Sequence, residues 1–174
     1  KVYHKLYNMD IVILRYFNVF GSYQDPFSEY SAVIPKFINL MQNYVPLTVY
    51  GDGEQIRDFT PVENVVFANL LAVEKPVSGE VFNIASGNKI KLNYFIELLT
   101  ELFGYTPEVV YTHARQGEVK YSWADISKAR STLGYSPLLD FESALKNLVY
   151  NRKSNFLEKF STVIYGIKNK YKNP

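Results

Sequence analysis

The chain has 174 residues, of which 47% are hydrophobic and 21% charged, with a formal net charge of +2 and no cysteine. That composition suits a globular chain with a sizeable core rather than a disordered one. The charge is too mild to argue for nucleic acid, and the lack of cysteine excludes disulfides, thiolate nucleophiles and thiolate metal sites.

The N-terminal Lys1-Val2-Tyr3-His4-Lys5 has no signal-peptide pattern and no Met, and it starts in mid-pattern, so the chain is expected to be a fragment. No apolar run approaches the roughly 20 residues that span a bilayer. Together these features fit a cytoplasmic enzyme. Lys1 to Asn8 reads as the end of a helix, with Val2, Tyr3, Leu6 and Tyr7 on its apolar side. Ile11 to Leu14 is a short β-branched and aliphatic run without alternation, expected to be a parallel strand covered on both faces. It continues into Arg15-Tyr16-Phe17-Asn18, polar and aromatic residues that suit either a strand leaving the core or a strand end facing a ligand. Asp25-Pro26 marks a loop. In Ser31 to Gln42, Pro35 belongs in a first helical turn, and Phe37, Ile38, Leu40 and Met41 give the helix its buried stripe.

Leu47 to Tyr50 and Ile56 to Thr60 read as extended pieces around a Gly51-Asp52-Gly53 turn. Alternation along the second puts Arg57 and Phe59 on one face, Asp58 and Thr60 on the other. A guanidinium fork beside a Gly-x-Gly turn, whose backbone can come close, suits a phosphate. A surface hairpin with an Arg–Asp or Arg–Glu pair explains the same residues. Thr60-Pro61-Val62-Glu63 predicts a helix start with Thr60 as N-cap, Pro61 at N1 and Glu63 closing a capping box. Val62, Val65, Val66, Leu70 and Val73 follow at helical spacing. Val81 to Ala85 is a strand. Leu92 to Phe103 is an amphipathic helix with Gly104 in the C′ place. Val109 to Tyr111 is a strand, Asp125 caps a short helix ended by Gly134, and Phe141 to Tyr150 is a helix. Arg115, three residues before Glu118, offers a second cation beside a carboxylate, and an exposed charged loop is the plainer reading. His4 and His113 have no ligand-like neighbours, so no metal site is expected. The stripe Phe156, Leu157, Phe160, Val163, Ile164 and Ile167, with Lys159, Lys168, Lys170 and Lys172, fits a helix docked on its own domain, on a partner or on a membrane surface.

Taken in order, "LRYFNVFG", "YSAVIPKF", "VYGDGEQIRDFTPVENV", "VFNIASG" and "ARQGEVKYSWADISKARSTLGYSP" resemble the C-terminal half of NAD-dependent nucleotide-sugar epimerases and dehydratases. These are the extended short-chain dehydrogenase/reductases, and the nearest likeness is to UDP-glucose and UDP-N-acetylglucosamine 4-epimerases. The resemblance implies an α/β chain in three parts. Residues 1–20 would end a Rossmann-type NAD domain, 21–153 would bind the nucleotide-sugar, and 154–174 would form a basic helical tail. It implies that Tyr16 and Phe17 lie against the nicotinamide of NAD and that Asn18 bonds the substrate. Ala32, Val33 and Phe37 would lie along the sugar and diphosphate, and Thr48 and Tyr50 would border the uracil. Arg57 and Arg115 would clamp the diphosphate, Glu118 would hold the ribose where the family more often has Asp, and Leu92 would touch the nucleoside. Ser122 stands where some members carry a bulky tyrosine, leaving room for an N-acetyl group. The family's Tyr-x-x-x-Lys pair is absent from these 174 residues. The UDP-sugar is the expected partner, with a homodimer for the full-length enzyme.

Overall fold

The computed structural model describes residues 1–27 and 32–150, so the terminal stripe at Phe156 to Ile167 lies outside the described residues. The chain alternates short strands with helices: α1 (Val2–Tyr7), β1 (Ile13–Tyr16), β2 (Val19–Phe20), α2 (Val33–Gln42), β3 (Leu47–Tyr50), β4 (Ile56–Arg57), β5 (Thr60–Pro61), α3 (Val62–Glu74), β6 (Val81–Ile84), β7 (Ile90–Lys91), α4 (Leu92–Phe103), β8 (Val109–Thr112), β9 (Tyr121–Ser122) and α5 (Phe141–Val149). A π-helical turn, Ala129–Leu133, precedes α5. Pairing is mostly parallel and non-local. β1 runs beside β6, β2 beside β5 and β3 beside β8, while β4 lies between antiparallel β7 and parallel β9.

Two cores form. In the first, α2, α4 and α5 close over β3. Phe37 stacks on Phe95 at 5.9 Å, Phe59 on Phe141 at 5.4 Å, and Phe20 meets Phe141 edge-on at 5.6 Å. The second gathers Val65, Ala68, Leu71, Phe82, Ile84, Leu133 and Tyr135 between α3, β6 and the π-turn. The Tyr135 hydroxyl donates to Ala85 O at 2.9 Å, and burial pushes its phenol far above its usual value.

Three expectations need correction. Thr60 is not an N-cap. It is drawn into the β2–β5 pairing, its N–H donating to Asn18 O at 3.1 Å and its hydroxyl to Asp58 O at 3.4 Å. Pro61 takes the N-cap place without a side-chain cap, and no capping box closes. On α3, Val62, Val66 and Val73 are exposed, whereas Asn64, Val65, Ala68 and Leu71 are buried. The helix turns its inner face toward Leu138 and Leu139, where Asn64 Oδ1 accepts both backbone N–H groups at 2.8 and 3.1 Å and Nδ2 donates to Leu139 O at 2.8 Å. The strand at the start is parallel but not covered on both faces. Ile13 and Leu14 are half-buried and Arg15 and Tyr16 exposed, because within the described residues only β6 pairs with β1.

Asp58 is fully buried, and its carboxylate accepts the N–H groups of Ser86 (3.0 Å), Gly87 (3.1 Å) and Ala124 (3.3 Å). Burial pushes its carboxyl above the usual value, with those backbone donors pulling the other way. Asp58→Asn puts an amide NH2 group against donors and is expected to cost about 2–4 kcal/mol of stability in denaturant titration. The folded state holds the Asp58 proton more tightly than the unfolded chain. Its contribution to stability therefore falls as pH rises from about 4 to the raised folded value, and is level above that. The Asn variant should lack this stretch of pH dependence.

Candidate functional site

A cavity of about 500 Å³ opens over the first core. Its apolar floor is Phe20, Phe37 and Phe59, the inner ring of the aromatic cluster. Volume and lining are those of a small-molecule site, apolar walls with a few placed polar groups. Asn18 comes from the β1–β2 junction, Ala32, Val33 and Phe37 from the start of α2, and Thr48 and Tyr50 from β3. Arg57 comes from β4, Leu92 from the start of α4, and Arg115 and Glu118 from the β8–β9 connection. The structure thus brings ten of the residues singled out in the sequence to one cavity.

Local chemistry explains their placement. Asn18 has φ of 34°, a left-handed conformation that asparagine tolerates better than most residues. Pro35 sits inside the first turn of α2, and Ala32 is the extended residue before it. Arg57 is held by its own strand and its neighbour, Nη1 donating to Ile56 O at 2.9 Å and Lys120 O at 3.3 Å, while Nη2 meets Glu118 Oε1 at 3.1 Å. The Arg115 guanidinium lies 3.8 Å from the centre of the Tyr50 ring. Arg115, by hydrogen bonding and then by charge, lowers the Tyr50 phenol below its usual value against the opposing effect of burial, and Lys36 adds to the lowering.

Three residues of the expected set stand apart. Tyr16 is exposed and donates to Asn69 Oδ1 at 3.1 Å, lining a separate groove beside α3. Phe17 is half-buried against the second core. Ser122 pairs in register with Arg57 but does not line the cavity. Neither glycine of the Gly-x-Gly turn lines the cavity. Gly53 instead takes φ of 75° so that Asn93 can close on it, and a Cβ there would lie 1.8 Å from Asn93 Oδ1. Asn93 Nδ2 binds Asp52 O at 3.1 Å and Glu54 Oε1 at 2.9 Å, so the turn serves α4. The β4 segment is no hairpin, because its partners β7 and β9 are remote in sequence.

Sequence reasoning missed Lys36 and Gln55, both at the cavity. Gln55 Nε2 donates to Tyr50 O at 3.0 Å and fixes that strand end. Lys36 immediately precedes Phe37, so its place next to an assigned residue was the available signal. Among the described residues no group of His, Asp and Glu could hold a metal ion, and no helix is long and apolar enough to cross a membrane.

The model of the NAD dependent epimerase/dehydratase family matches residues 1–85. A UDP-glucuronate 4-epimerase of Thermodesulfobacterium geofontis is 36% identical over 88% of this chain and 46% of its own length. Among solved structures, UDP-glucose 4-epimerase of Thermotoga maritima with UDP-glucose matches at a TM-score of 0.81 and 38% identity, covering 91% of this chain and 49% of that one. UDP-N-acetylglucosamine 4-epimerase of Methanobrevibacter ruminantium, in complex with UDP-N-acetylmuramic acid, matches at 0.81 and 40%, covering 86% and 48%. The chain spans about half the length of the relatives it matches. Its parallel, mixed α/β architecture is that of the Rossmann-type extended short-chain dehydrogenase/reductases, and the chain belongs to the NAD dependent epimerase/dehydratase family.

Proposed function

We propose that this chain supplies the nucleotide-sugar side of an NAD-dependent 4-epimerase acting on a UDP-hexose, either glucose/galactose or their N-acetylated forms. The observation that carries the reading is the meeting of Arg57 and Arg115, far apart in sequence, at one cavity with an aromatic floor. Among the described residues that line it, Lys36 joins them as a third cation against one carboxylate, Glu118, an excess that suits the two charges of a diphosphate. In this reading Arg57 and Arg115 clamp the diphosphate. Thr48, Tyr50 and Leu92 border the nucleoside, Glu118 takes the ribose hydroxyls, and Asn18, Ala32, Val33 and Phe37 line the sugar side.

Tyr16 and Phe17 would hold NAD from one side, and the exposed Tyr16 ring fits that role better than the half-buried Phe17. When bound, NAD supplies hydride acceptance and return at C4 of the sugar. The chain's own residues bind and orient the substrate, and residues 1–20, 21–153 and 154–174 divide as NAD-domain end, nucleotide-sugar domain and tail. The full-length enzyme would work in the cytoplasm as a homodimer. A dehydratase or reductase on the same scaffold, or a binding module without catalysis, would use the same cavity. Product analysis separates them, since UDP-galactose formed from UDP-glucose without loss of water or net NADH marks epimerisation.

The 174-residue chain, which has no Tyr-x-x-x-Lys, should bind UDP but epimerise nothing, and turnover by the chain alone would contradict this. Arg57→Ala should weaken UDP binding by at least about 1.5 kcal/mol in calorimetry, and an unchanged dissociation constant removes Arg57 from the site. Ser122 lies outside the cavity lining, on β9 beside Arg57, and takes its sugar role only where an N-acetyl group extends past the cavity edge. Ser122→Tyr should then weaken UDP-N-acetylglucosamine about fivefold or more while leaving UDP nearly unaffected. Equal effects on the two ligands would sink the role given to Ser122.

A further inference from the structure

Glu118 is committed elsewhere before any ribose arrives. Its Oε1 lies 3.1 Å from Arg57 Nη2. Of the four ion pairs among the described residues this is the most shielded, its side chains 19% and 29% exposed where those of the others are 43% to 59%. Shielding keeps the attraction from being screened by salt. Arg57 Nη1 is already spent on Ile56 O and Lys120 O, and Glu118 takes an N–H of Nη2. Glu118 is also tied to the second arginine, its N–H donating to Arg115 O at 3.1 Å across a turn in which Gly117 has φ of 82°. Arg115 meanwhile lies on Tyr50, and among the described residues neither it nor Lys36 has an ion-pair partner.

We propose that Glu118 determines specificity by competition, as a built-in anion that occupies Arg57 until a ligand brings both a diphosphate to replace it and ribose hydroxyls to receive it. The inference rests on the nucleotide-sugar reading above. Inorganic phosphate or pyrophosphate reaches this edge of Arg57 only by displacing the carboxylate, and an anion that also draws Arg115 and Lys36 leaves Glu118 no free cation among the described cavity residues. A nucleoside diphosphate carries that donor pair a few bonds from its own charge, so the carboxylate trades one partner for another. The exchange is a repulsive element against the wrong anions set within an attractive site for the right one. It also keeps Arg57 extended and oriented when the site is empty, which lowers the ordering cost at binding.

The test is calorimetric binding of UDP and of inorganic pyrophosphate to the intact chain and to its E118Q and E118A variants, at one ionic strength, with thermal unfolding run on each. The expected result is pyrophosphate binding about tenfold tighter in whichever variant keeps the parent unfolding midpoint, with UDP unchanged or weaker, so that the preference for UDP over pyrophosphate falls about tenfold or more. Pyrophosphate binding that is unchanged or weaker in a folded variant overturns the proposal. Equal tightening of both ligands does so too, because the ribose then has no part in the exchange. If the parent chain and the variants are folded and bind neither ligand, it is the nucleotide-sugar reading that falls.

Discussion

The Asp58 carboxylate accepts N–H groups from Ser86, Gly87 and Ala124, and so ties the strand that carries Arg57 to the turn after β6 and to the segment after β9. The next residues on either side face the other way. Arg57 and Phe59 reach the cavity while Asp58 and Thr60 are wholly buried. One extended segment thus does two jobs by alternation alone. Asp58 also donates its own N–H to Ser122 O at 3.0 Å, which fixes β9, and with it the loop of Arg115 and Glu118, against β4. That grip joins the Arg57 contacts with Lys120 O and Glu118 in holding the two arginine-bearing segments together.

Elements whose apolar period matches their packing were legible in the sequence. Leu92 to Phe103 is the clearest, because Leu92, Phe95, Ile96 and Leu99 bury a single face, and Gly104 takes the left-handed conformation that ends it. Gly134 ends the π-turn as expected with φ of 70°, but Asp125 is not its cap: Asp125 accepts from Ser127 N at 2.8 Å, while Lys128 takes the N-cap place without a side-chain cap bond. The helix of Val62–Glu74 was misread at both its start and its face for one reason. Its position is set by tertiary contacts, the β2–β5 pairing at one end and the Asn64 grip on Leu138 and Leu139 along its side. A local pattern carries no record of such partners. Asp58 is opaque for the same reason, since a lone aspartate beside an arginine gives no sign that its partners lie at Ser86 and Ala124. Most of the cavity was legible only through the order of motifs along the chain, each motif being compatible with a plain surface loop.

The charges around the cavity are arranged in two rings. The outer one holds Lys120 on Asp52 at 3.0 Å and Lys91 on Glu54 at 2.7 Å, pairs about half exposed that are worth little in stability. These pairs lower the Asp52 and Glu54 carboxyls, chiefly by the lysine hydrogen bonds, and leave the Gly51–Gly53 turn neutralised. Among the described residues the inner set, Lys36, Arg57, Arg115 and Glu118, is not balanced. The imbalance is confined to the cavity because the neighbouring turn has closed its own pairs.

The two cores differ in how far they are finished. The first buries Phe37, Leu47, Val49, Phe95, Leu99 and Phe141 almost entirely, and it is the one beneath the cavity. Around the second, Ile13 and Leu14 of β1 are only half-covered, α1 buries nothing, and Val2, Leu6 and Tyr7 are each about two-thirds exposed. Apolar burial of roughly 25 cal/mol per Å² is the main source of local rigidity. The cavity that Arg57 and Arg115 line therefore rests on the part of the chain that supports itself. Tyr16, at the end of the half-covered strand, rests on the part that does not. Ligand binding at the cavity can therefore be tested on this chain directly, whereas Tyr16 sits at the end of a strand that the described residues only half cover.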